Sequence, residues 1–488
     1  MAGFLTIFWD QPSRVLVISL GTAFLWQLLL AGYNLFLHPL RRFPGPILQR
    51  ASPLFWAWQH AFGYQAFRTQ RLHERYGSVV RIGPKHLSFT NANAWKDIYS
   101  FQSGKELEGN EIPKARLFSK IIDDLPASIT NADREEHQRF RRALSHGFSD
   151  SSLRAQEGIV VKYVDKLISG LHENSAQQNS ELNIEAWYNW TTFDITGDLI
   201  FGQSFNCLEH SDYHPYIAFA LQTIRYSACM TALKYIGLNY VVRCLFKIGG
   251  LANMMKLREG TDKMMHTRLN MGLSFGQLTA NALILVFAGS ETTATTLAGA
   301  TYLLGSNPKV LQKLTEEVRS TFSNSSEITI GSVSKLTYLL AVLNEALRLY
   351  PPITSGLIRE IPEDGCQIAS EHVPRGTFVE VQPWSVNHSP DNWTRPWEFR
   401  PERFLEGGKT EHNRLEASQA FSVGPRNCIG KNLAYAEMRL ILARIIYDFD
   451  IELTEGTGPW IERQRAFGVW DRIPLNVHLK PVSRGVSK

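Results

Sequence analysis

The chain has 488 residues, of which 44% are hydrophobic and 20% are charged, a balance typical of a well-packed globular protein and not of a disordered one. The formal net charge of +5 is mild and gives no reason to expect nucleic acid as a partner; a solvated basic surface explains it, and a docking face for an acidic partner is the sharper alternative. The five cysteines include no Cys-x-x-Cys pair, so neither a disulfide framework nor a zinc site is expected, and a reducing compartment is favoured.

The first long apolar stretch predicts a membrane anchor. Residues 15–37 carry no charged side chain, and 23 residues in a helix, at about 1.5 Å each, span a hydrocarbon core of about 30 Å. Arg41, Arg42 and Arg50 follow the stretch while only Arg14 precedes it, which places the main body on the cytosolic side. A cleaved signal peptide is the alternative, but no small-residue cleavage site follows. We therefore divide the chain into an anchor (1–38), a Pro/Gly hinge (39–50) and a main body (51–488).

Apolar periodicity predicts a body that is mainly α-helical with a small β region. A long loop is expected at residues 103–130, where the periodicity is weak. The predicted helices are 67–76, 94–100, 133–148, 185–201, two within 213–247, 277–304, 308–322, 334–350 and 432–447, and the predicted strands are 78–82, 87–89 and a stretch around 379–381.

The helix predicted at 133–148 is strongly basic. His137 and Arg141 are four residues apart and so share one face of it. A solvated basic face is the plain interpretation; a site for an anionic group is the functional one. Arg139 and Arg142 are available for a protein partner.

The long helix at 277–304 carries polar residues in an apolar setting, which is costly unless they serve a purpose. Gly289 is expected to open a groove, and the Thr292 hydroxyl is expected to bond back to the carbonyl of residue 288. Glu291, beside this alcohol, is expected to bring protons from solvent, and an acid next to an alcohol is a workable proton relay. A second membrane span or an ordinary core helix are the alternatives.

The helix at 334–350 contains Glu345 and Arg348, three residues apart on one face. An exposed ion pair is the usual explanation of such spacing. Arg403, in the stretch Pro-Glu-Arg-Phe, is the expected third member of a structural charge network.

Residues 421–430 form a glycine- and proline-containing loop that leads into a helix. Cys428 therefore lies at or just before a helix N-terminus, where the helix dipole favours a thiolate, a strong axial ligand of haem iron. Gly424 and Gly430 are expected to let the backbone approach a flat macrocycle, Arg426 to pair with a haem propionate, and Phe421 to shield the sulfur from water. A buried, inert cysteine is the alternative for the residue taken alone.

The ten-residue loop matches the haem-binding signature Phe-x-x-Gly-x-Arg-x-Cys-x-Gly, and the chain thus resembles the cytochrome P-450 family over about residues 35–480. The resemblance implies the P-450 fold behind one transmembrane helix, haem b with Cys428 as the iron ligand, and electrons from NADPH through a separate reductase. It also implies the following roles: Thr292 and Glu291 in proton delivery; His137, Arg141, Arg359 and Arg426 at the propionates; Glu345, Arg348 and Arg403 as the scaffold behind the Cys428 loop.

The residues around the motifs look most similar to fungal microsomal members of secondary metabolism, of the trichothecene or isotrichodermin hydroxylase type. This similarity implies a monooxygenase of the endoplasmic reticulum membrane that hydroxylates or epoxidises a terpenoid or polyketide intermediate. The expected pocket lining, Leu283, Phe287 and Ile353, predicts an apolar ligand. The segment around the C-terminal stretch 466–470 is expected to reach that pocket.

One segment departs from the family pattern. Between a helix expected near 261–270 and the long helix, only residues 271–276 remain where a further short helix and loop are expected. The shortening leaves an inactive family member as one alternative function. A haem-thiolate isomerase or dehydratase that does not use O2 is another, against which the intact Thr292 and Glu291 argue.

Overall fold

Helices make up most of the body and strands a small part of it, which confirms the fold class predicted from the sequence. The computed structural model describes residues 12–101, 111–120, 125–176, 181–250, 273–406 and 412–482. The α-helices of this part are α1 (Pro12–Phe36), α2 (Ile47–Ala51), α3 (Leu54–Ala61), α4 (Gln65–Tyr76), α5 (Asn93–Tyr99), α6 (Arg116–Ser119), α7 (Arg134–Ser145), α8 (Asp150–Ser175), α9 (Ile184–Phe201), α10 (Cys207–His210), α11 (Pro215–Tyr235), α12 (Asn239–Leu245), α13 (Phe275–Gly305), α14 (Pro308–Thr321), α15 (Ile330–Val333), α16 (Thr337–Leu349), α17 (Pro383–Asn387) and α18 (Lys431–Asp448).

Short strands form small sheets at the edges of the helical body. In the largest sheet of the described residues the order is β1-β2-β7-β4; β2 runs parallel to β7, while β1 and β4 are antiparallel to their neighbours. A second sheet has the order β3-β11-β8, and the pairs β5-β6 and β9-β10 are hairpins. The strands are β1 (Val79–Gly83), β2 (His86–Phe89), β3 (Leu182–Asn183), β4 (Arg359–Glu360), β5 (Cys366–Ile368), β6 (Glu371–Val373), β7 (Phe378–Val381), β8 (Phe449–Leu453), β9 (Arg465–Ala466), β10 (Trp470–Asp471) and β11 (Asn476–Pro481).

The long helix α13 lies at the centre of the core. It packs against α9 along its length and also contacts α16 and α18. Its C-terminal half is buried on all sides, and a Cβ at Gly299 would collide with the ring of Tyr350, so only glycine allows this close packing. At its start, Ser274 and Gln277 form a reciprocal capping box that satisfies free backbone N–H groups. The helix that carries the predicted oxygen-activation residues is therefore rigidly held.

Two helices of the described residues are long and apolar enough to cross a membrane. The stretch Arg14–Phe36 within α1 has a mean hydropathy of 2.0 and none of it is buried, which makes it a candidate membrane anchor. The other is α13, but 61% of its most apolar stretch is buried inside the body. We assign α13 to the core, and not to a second membrane span.

The predicted bounds of α4, α9, α13 and α18 are each met within two residues. The prediction for 334–350 is wrong at its start: α15 is a separate turn, and α16 begins at Thr337. Thr329 and Ser332 cap α15 on their own, and the Glu317 carboxylate accepts the backbone N–H groups of Tyr338 and Leu339, at 2.8 Å each. A side chain from α14 thus sets the first turn of α16.

Two expectations fall wholly or partly on residues that the structure does not describe. Of the loop expected at 103–130, the described residues contain the short helix α6, while 103–110 and 121–124 lie outside them. The helix expected near 261–270 and residues 271–272 of the short segment also lie outside.

Candidate active site

The loop before α18 is folded so that Cys428 stands immediately ahead of the helix. The backbone N–H of Cys428 donates to the carbonyl of Phe421 at 2.9 Å, which closes the loop on itself. The residue before the helix is Gly430, so Cys428 is placed where the sequence predicts it, two residues from the helix cap. Its side chain is exposed. The thiol is thus open to the space beside the loop although the loop itself is largely buried, and it is not an inert core cysteine.

The surroundings of the thiol act on its pKa in opposite directions. Burial of the loop raises the pKa of Cys428, while the backbone N–H of Gly430 and the charges of Arg141 and Lys431 act to lower it. Burial prevails, so the free thiol holds its proton at neutral pH. A bound metal ion removes the proton of a coordinating thiol outright, and these neighbours then stabilise the thiolate.

The two glycines of the loop, Gly424 and Gly430, have different structural roles. A Cβ at Gly424 would collide with the backbone carbonyl of Tyr99, and its φ of +78° lies in the left-handed region. The reason given from the sequence is therefore wrong for Gly424, which is required by α5 and not by a macrocycle. A Cβ at Gly430 would make only ordinary contacts, one of them 4.0 Å from the Cys428 sulfur, so this glycine keeps space free beside the thiol.

Arg141 holds the cysteine loop from α7. Its Nη1 donates to the carbonyl oxygen of Asn427 and its Nη2 to the Asn427 Oδ1, both at 2.6 Å. The structure thus differs from the expectation that Arg141 faces a propionate, because both terminal nitrogens are bound to the residue next to Cys428. His137 lies one turn earlier and is buried.

The Phe421 ring packs against α18. It lies 5.1 Å from the ring of Tyr435, whose hydroxyl donates to Asn344 Oδ1 at 2.7 Å. The expected shielding of the Cys428 sulfur by Phe421 stays a prediction. Phe421 connects the loop, through α18, to α16.

Glu345, Arg348 and Arg403 form the buried network that the sequence predicts, here called the scaffold triad. Glu345 accepts from Arg348 at 2.7 and 2.8 Å and from Arg403 at 3.1 Å. Each N–H of the Arg348 guanidinium has an acceptor, the others being the carbonyls of Asn387, Pro396 and Glu398. With every N–H of Arg348 bonded and Glu345 bound to both arginines, the triad fixes geometry.

Arg359 and Arg426, 67 residues apart in the chain, meet at one carboxylate that sequence reasoning missed. Arg359 Nη1 donates to Glu111 Oε1 at 2.9 Å, and Arg426 Nε donates to the same oxygen. Burial raises the pKa of Glu111, but the two guanidinium groups outweigh burial and hold this pKa below its ordinary value. Glu111 belongs to a stretch of weak periodicity, so no local pattern marks it.

A third cation, Lys114, completes this cationic cluster of Lys114, Arg359 and Arg426 around Glu111. Burial and the charges of Arg426 and Arg359 lower the pKa of Lys114 to about 7. Nearby, burial and Arg426 lower the pKa of His137 to about 4, so the imidazole is neutral. Two guanidinium groups and one amine that is about half protonated at pH 7 thus face one carboxylate.

The cluster suits a ligand with two carboxylates. Its excess of two potential positive charges would be balanced by the two negative charges of the haem b propionates. In addition, Arg359 Nε is buried without an acceptor among the described residues. Together with the exposed Cys428 thiol ahead of a helix, the donor set fits haem, with Cys428 at the iron. The residues that would hold its propionates are Arg359 and Arg426, with Lys114 as an addition to the predicted set.

On α13, the Thr292 hydroxyl donates to the carbonyl of Ala288 at 2.7 Å, as the sequence predicts. Ala288 is exposed and Thr292 partly exposed although the helix is otherwise largely buried here, and their spacing of four places them on one open face. Gly289 does not open a groove as expected. It faces α9, where an added Cβ would lie 3.1 Å from Thr196 Cγ2.

Glu291 points into the body. It is 6% exposed, and its Oε2 accepts from Arg472 Nη2 at 2.6 Å. Glu291 therefore has little direct contact with solvent, and its expected part in proton delivery stays a prediction. Arg472 lies 181 residues away in sequence, just beyond β10, so no local pattern could have predicted the pair.

The apolar stretch between β9 and β10 reaches the segment before β4. Ile353 forms a backbone bridge with Val469, and the Thr354 N–H donates to the Gly468 carbonyl at 2.9 Å. Leu283, Phe287 and Ile353, the expected pocket lining, are all partly exposed. Apolar side chains that remain partly open inside a body of this size suit an apolar ligand.

Comparisons with known proteins agree with this geometry. The sequence model of the family described as "Cytochrome P450" matches residues 46–243 and 250–476. The chain is 45% identical over 483 residues to the cytochrome P450 monooxygenase tpeC of Talaromyces stipitatus, covering 96% of this chain and 94% of that protein. It is 39% identical to the trichothecene C-15 hydroxylase of Fusarium sporotrichioides (96% and 98% covered) and 41% identical to the averantin hydroxylase of Dothistroma septosporum (95% and 91% covered).

Proposed function

This chain belongs to the cytochrome P450 family, and from that premise we propose that it is a membrane-bound monooxygenase that inserts one atom of O2 into an apolar small molecule. The observation that carries the proposal is the Cys428 loop, which presents a thiol ahead of a helix N-terminus. Similarity to fungal P450 monooxygenases makes the chain an oxidoreductase; the oxygen source, the substrate class and the membrane location are our proposals.

Haem b, when bound, supplies the oxygen-activating chemistry, and a thiolate ligand favours O–O cleavage. We assign the iron ligand to Cys428 and the propionates to Arg359 and Arg426, with neutral His137 beside them. Electrons come from NADPH through a separate reductase. Arg139 and Arg142 on α7 are exposed and offer this partner a basic face.

The chain's own part in the reaction is to hold and move protons at α13. The Thr292 hydroxyl stands on the open face, oriented by its bond to the Ala288 carbonyl. Glu291 lies on the buried side and is held by Arg472. We assign proton transfer to these two side chains, the carboxyl as the source and the hydroxyl as the group that reaches the reacting atoms.

We propose an apolar terpenoid or polyketide intermediate of secondary metabolism as the substrate class, hydroxylated or epoxidised. Partly exposed Leu283, Phe287 and Ile353 support an apolar ligand. Two of the relatives are named hydroxylases, which supports hydroxylation.

The location we propose is the endoplasmic reticulum membrane, with α1 as the single anchor, residues 39–50 as the hinge and the catalytic domain in the cytosol. Apolar side chains on the body beyond the anchor support a membrane-facing surface. On α2 and α3, Ile47, Leu54 and Trp58 are exposed, and α3 packs on α11, which leads directly to the exposed Tyr240 and Ile248.

The test is isotopic. The full-length enzyme is combined with a P450 reductase, NADPH and a panel of apolar terpenoids and polyketides under 18O2, and separately in H2 18O. We expect products that carry one 18O atom from O2 and none from water. Products formed without NADPH, or without oxygen from O2, would instead establish an isomerase or dehydratase.

A further inference from the structure

Arg472 binds two carboxyl groups from two different helices. Its Nη2 donates to Glu291 Oε2 of α13 at 2.6 Å, and its Nε lies 3.3 Å from Glu185 Oε1 of α9. Asn189, one turn after Glu185, bridges Glu185 and Arg472. Its Nδ2 donates to Glu185 Oε1 at 2.6 Å, and its Oδ1 accepts from Arg472 Nη2 at 2.9 Å. These contacts define the shared-arginine cluster of Glu185, Arg472 and Glu291.

The cluster is buried and its charges do not balance if both carboxyl groups are ionised. The exposed fraction of the Arg472 side chain is 5%, and Glu185 and Glu291 are 8% and 6% exposed. Two carboxylates and one guanidinium would leave one negative charge in a buried site, which is costly. Among the described residues, the other groups that face the cluster are neutral: Asn189, Tyr213 and Tyr350.

Two polar atoms of the cluster are left without a hydrogen bond among the described residues. They are Glu291 Oε1 and Arg472 Nη1, and both are buried. An acceptor and a donor that are both free give the cluster a second arrangement to adopt, unlike a fully satisfied network.

We propose that Glu185, Arg472 and Glu291 form a proton store in which one proton is shared by the two carboxyl groups and leaves through Glu291 toward Thr292. The inference rests on the proposed monooxygenase function for its purpose. Glu185 and Arg472 are positioning residues, because they act through Glu291. The store also explains how a glutamate that has little direct contact with solvent can supply protons.

The transfer conserves charge. No hydrogen bond joins the two carboxyl groups among the described residues, so the protonated carboxyl of Glu185 gives its proton to the Glu291 carboxylate through a bridging water, for which the free Glu291 Oε1 and Arg472 Nη1 are partners. Glu291 then becomes neutral while Glu185 becomes the anion that pairs with Arg472. The cluster holds one positive and one negative charge before and after. Once Glu291 has released the proton, one proton from solvent restores the store; Tyr213, whose hydroxyl accepts from Asn189 Nδ2 at 3.0 Å and which is partly exposed, marks the side from which it enters.

Infrared spectroscopy tests the shared proton directly, because a protonated carboxyl has a carbonyl band that a carboxylate lacks. Difference spectra are recorded on the full-length enzyme and on Glu185→Gln and Glu291→Gln. Either substitution should remove the same single band, because the remaining carboxyl then ionises against Arg472. The matched control is Glu437→Gln on α18, a buried carboxyl far along the chain. This substitution should remove a separate band, and when it is combined with either variant both bands should be lost.

Two infrared outcomes would overturn the proposal. A band that survives in Glu291→Gln would mean that the proton is fixed on Glu185 by burial alone. Bands unchanged in both variants would mean that both carboxyl groups are ionised.

Turnover then tests the purpose of the store. In Glu185→Gln, product formed per NADPH should fall at least about threefold and the solvent deuterium isotope effect on product formation should rise, with haem content unchanged. Glu437→Gln should match the natural chain in both measurements. Unchanged coupling and isotope effect in Glu185→Gln would overturn the proposal. If the natural chain itself forms no product, the proposed function fails, and the infrared result still decides whether the proton is shared.

Discussion

The scaffold triad and the shared-arginine cluster both consist of glutamate and arginine side chains, but their charge balance is opposite. In the triad two guanidinium groups face one carboxylate, and each N–H of Arg348 has an acceptor. In the cluster one guanidinium faces two carboxyl groups, and Arg472 Nη1 and Glu291 Oε1 have no partner among the described residues. A saturated network fixes geometry, while an unsaturated one keeps an alternative protonation state within reach.

The cationic cluster around Glu111 is a third case. It has more positive charge than its single carboxylate neutralises, and it fits a ligand that brings two more carboxylates. Similar ionic groups thus give a rigid support, a proton store or an anion site according to how many charges of each sign they contain. The predictions below test that comparison.

The largest effect is expected in the scaffold triad. Replacing Glu345 with Ala leaves two buried guanidinium groups without a counter-charge, which should cost about 3–5 kcal/mol of folding free energy. We expect little or no folded, haem-containing protein, measured by haem content per chain after expression. The control Glu363→Ala removes a carboxylate of an exposed ion pair with Arg375 and should have no measurable effect. A normal yield of Glu345→Ala with normal haem content would contradict a structural triad.

The next effect concerns the cationic cluster. Replacing Glu111 with Gln removes the carboxylate shared by Arg359 and Arg426, which should destabilise the haem-free protein by about 2–3 kcal/mol. The haem-bound protein should lose less, because the propionates supply negative charge. Thermal unfolding of both forms checks this, with Glu416→Gln, whose carboxylate pairs with Arg414 and is 59% exposed, as the control. An equal loss of stability in the haem-free and haem-bound forms would mean that this cluster does not bind the propionates.

A smaller effect is expected at the open face of α13. Replacing Thr292 with Ala removes the hydroxyl that is held by the Ala288 carbonyl. Product formed per NADPH should fall by about tenfold, a loss of about 1.4 kcal/mol in the productive step, while haem binding stays unchanged. The variant Thr292→Ser keeps a hydroxyl and should recover most of the coupling. If Ala and Ser behave alike, the methyl group and not the hydroxyl matters there.

A last, pH-dependent effect extends the comparison to a carboxyl that has no cation. Burial raises the pKa of Glu437 from its ordinary value of 4.5 to about 8. Between these values the folded chain keeps a proton that the unfolded chain releases, so this contribution to stability is complete below pH 4.5 and is lost as pH rises toward 8. In Glu437→Gln the free energy of unfolding should therefore fall less steeply over this range, by at most about 1.4 kcal/mol less per pH unit. The melting temperature, measured across the same pH range, checks this. Identical pH profiles would show that Glu437 ionises normally.

The sequence predicts those parts of the site whose causes are local. The back-bond of Thr292 depends on residues four apart, the position of Cys428 depends on a loop followed by a helix, and Glu345 and Arg348 are three apart. For the same reason the helix bounds are close wherever apolar periodicity is strong.

The remaining features depend on contacts between distant parts of the chain. Glu111 meets Arg359 and Arg426 from a stretch without periodicity, and Arg472 meets Glu291 across 181 residues. Gly424 is required by the backbone of Tyr99, and Gly289 by close packing on α9. Nothing in the local pattern distinguishes these partners from other charged or small residues, so only the folded structure shows why each is present.

The most direct test of the account is the reduced, carbon-monoxide-bound difference spectrum of the natural chain, Cys428→Ser and Cys229→Ser. Both cysteines have exposed side chains, which makes Cys229 a matched control. The natural chain and Cys229→Ser should show the strongly red-shifted Soret band of thiolate-ligated haem, and Cys428→Ser should lack it. A histidine-type or free-haem band in the natural chain, or a red-shifted band that persists in Cys428→Ser, would contradict the assignment of Cys428 as the iron ligand.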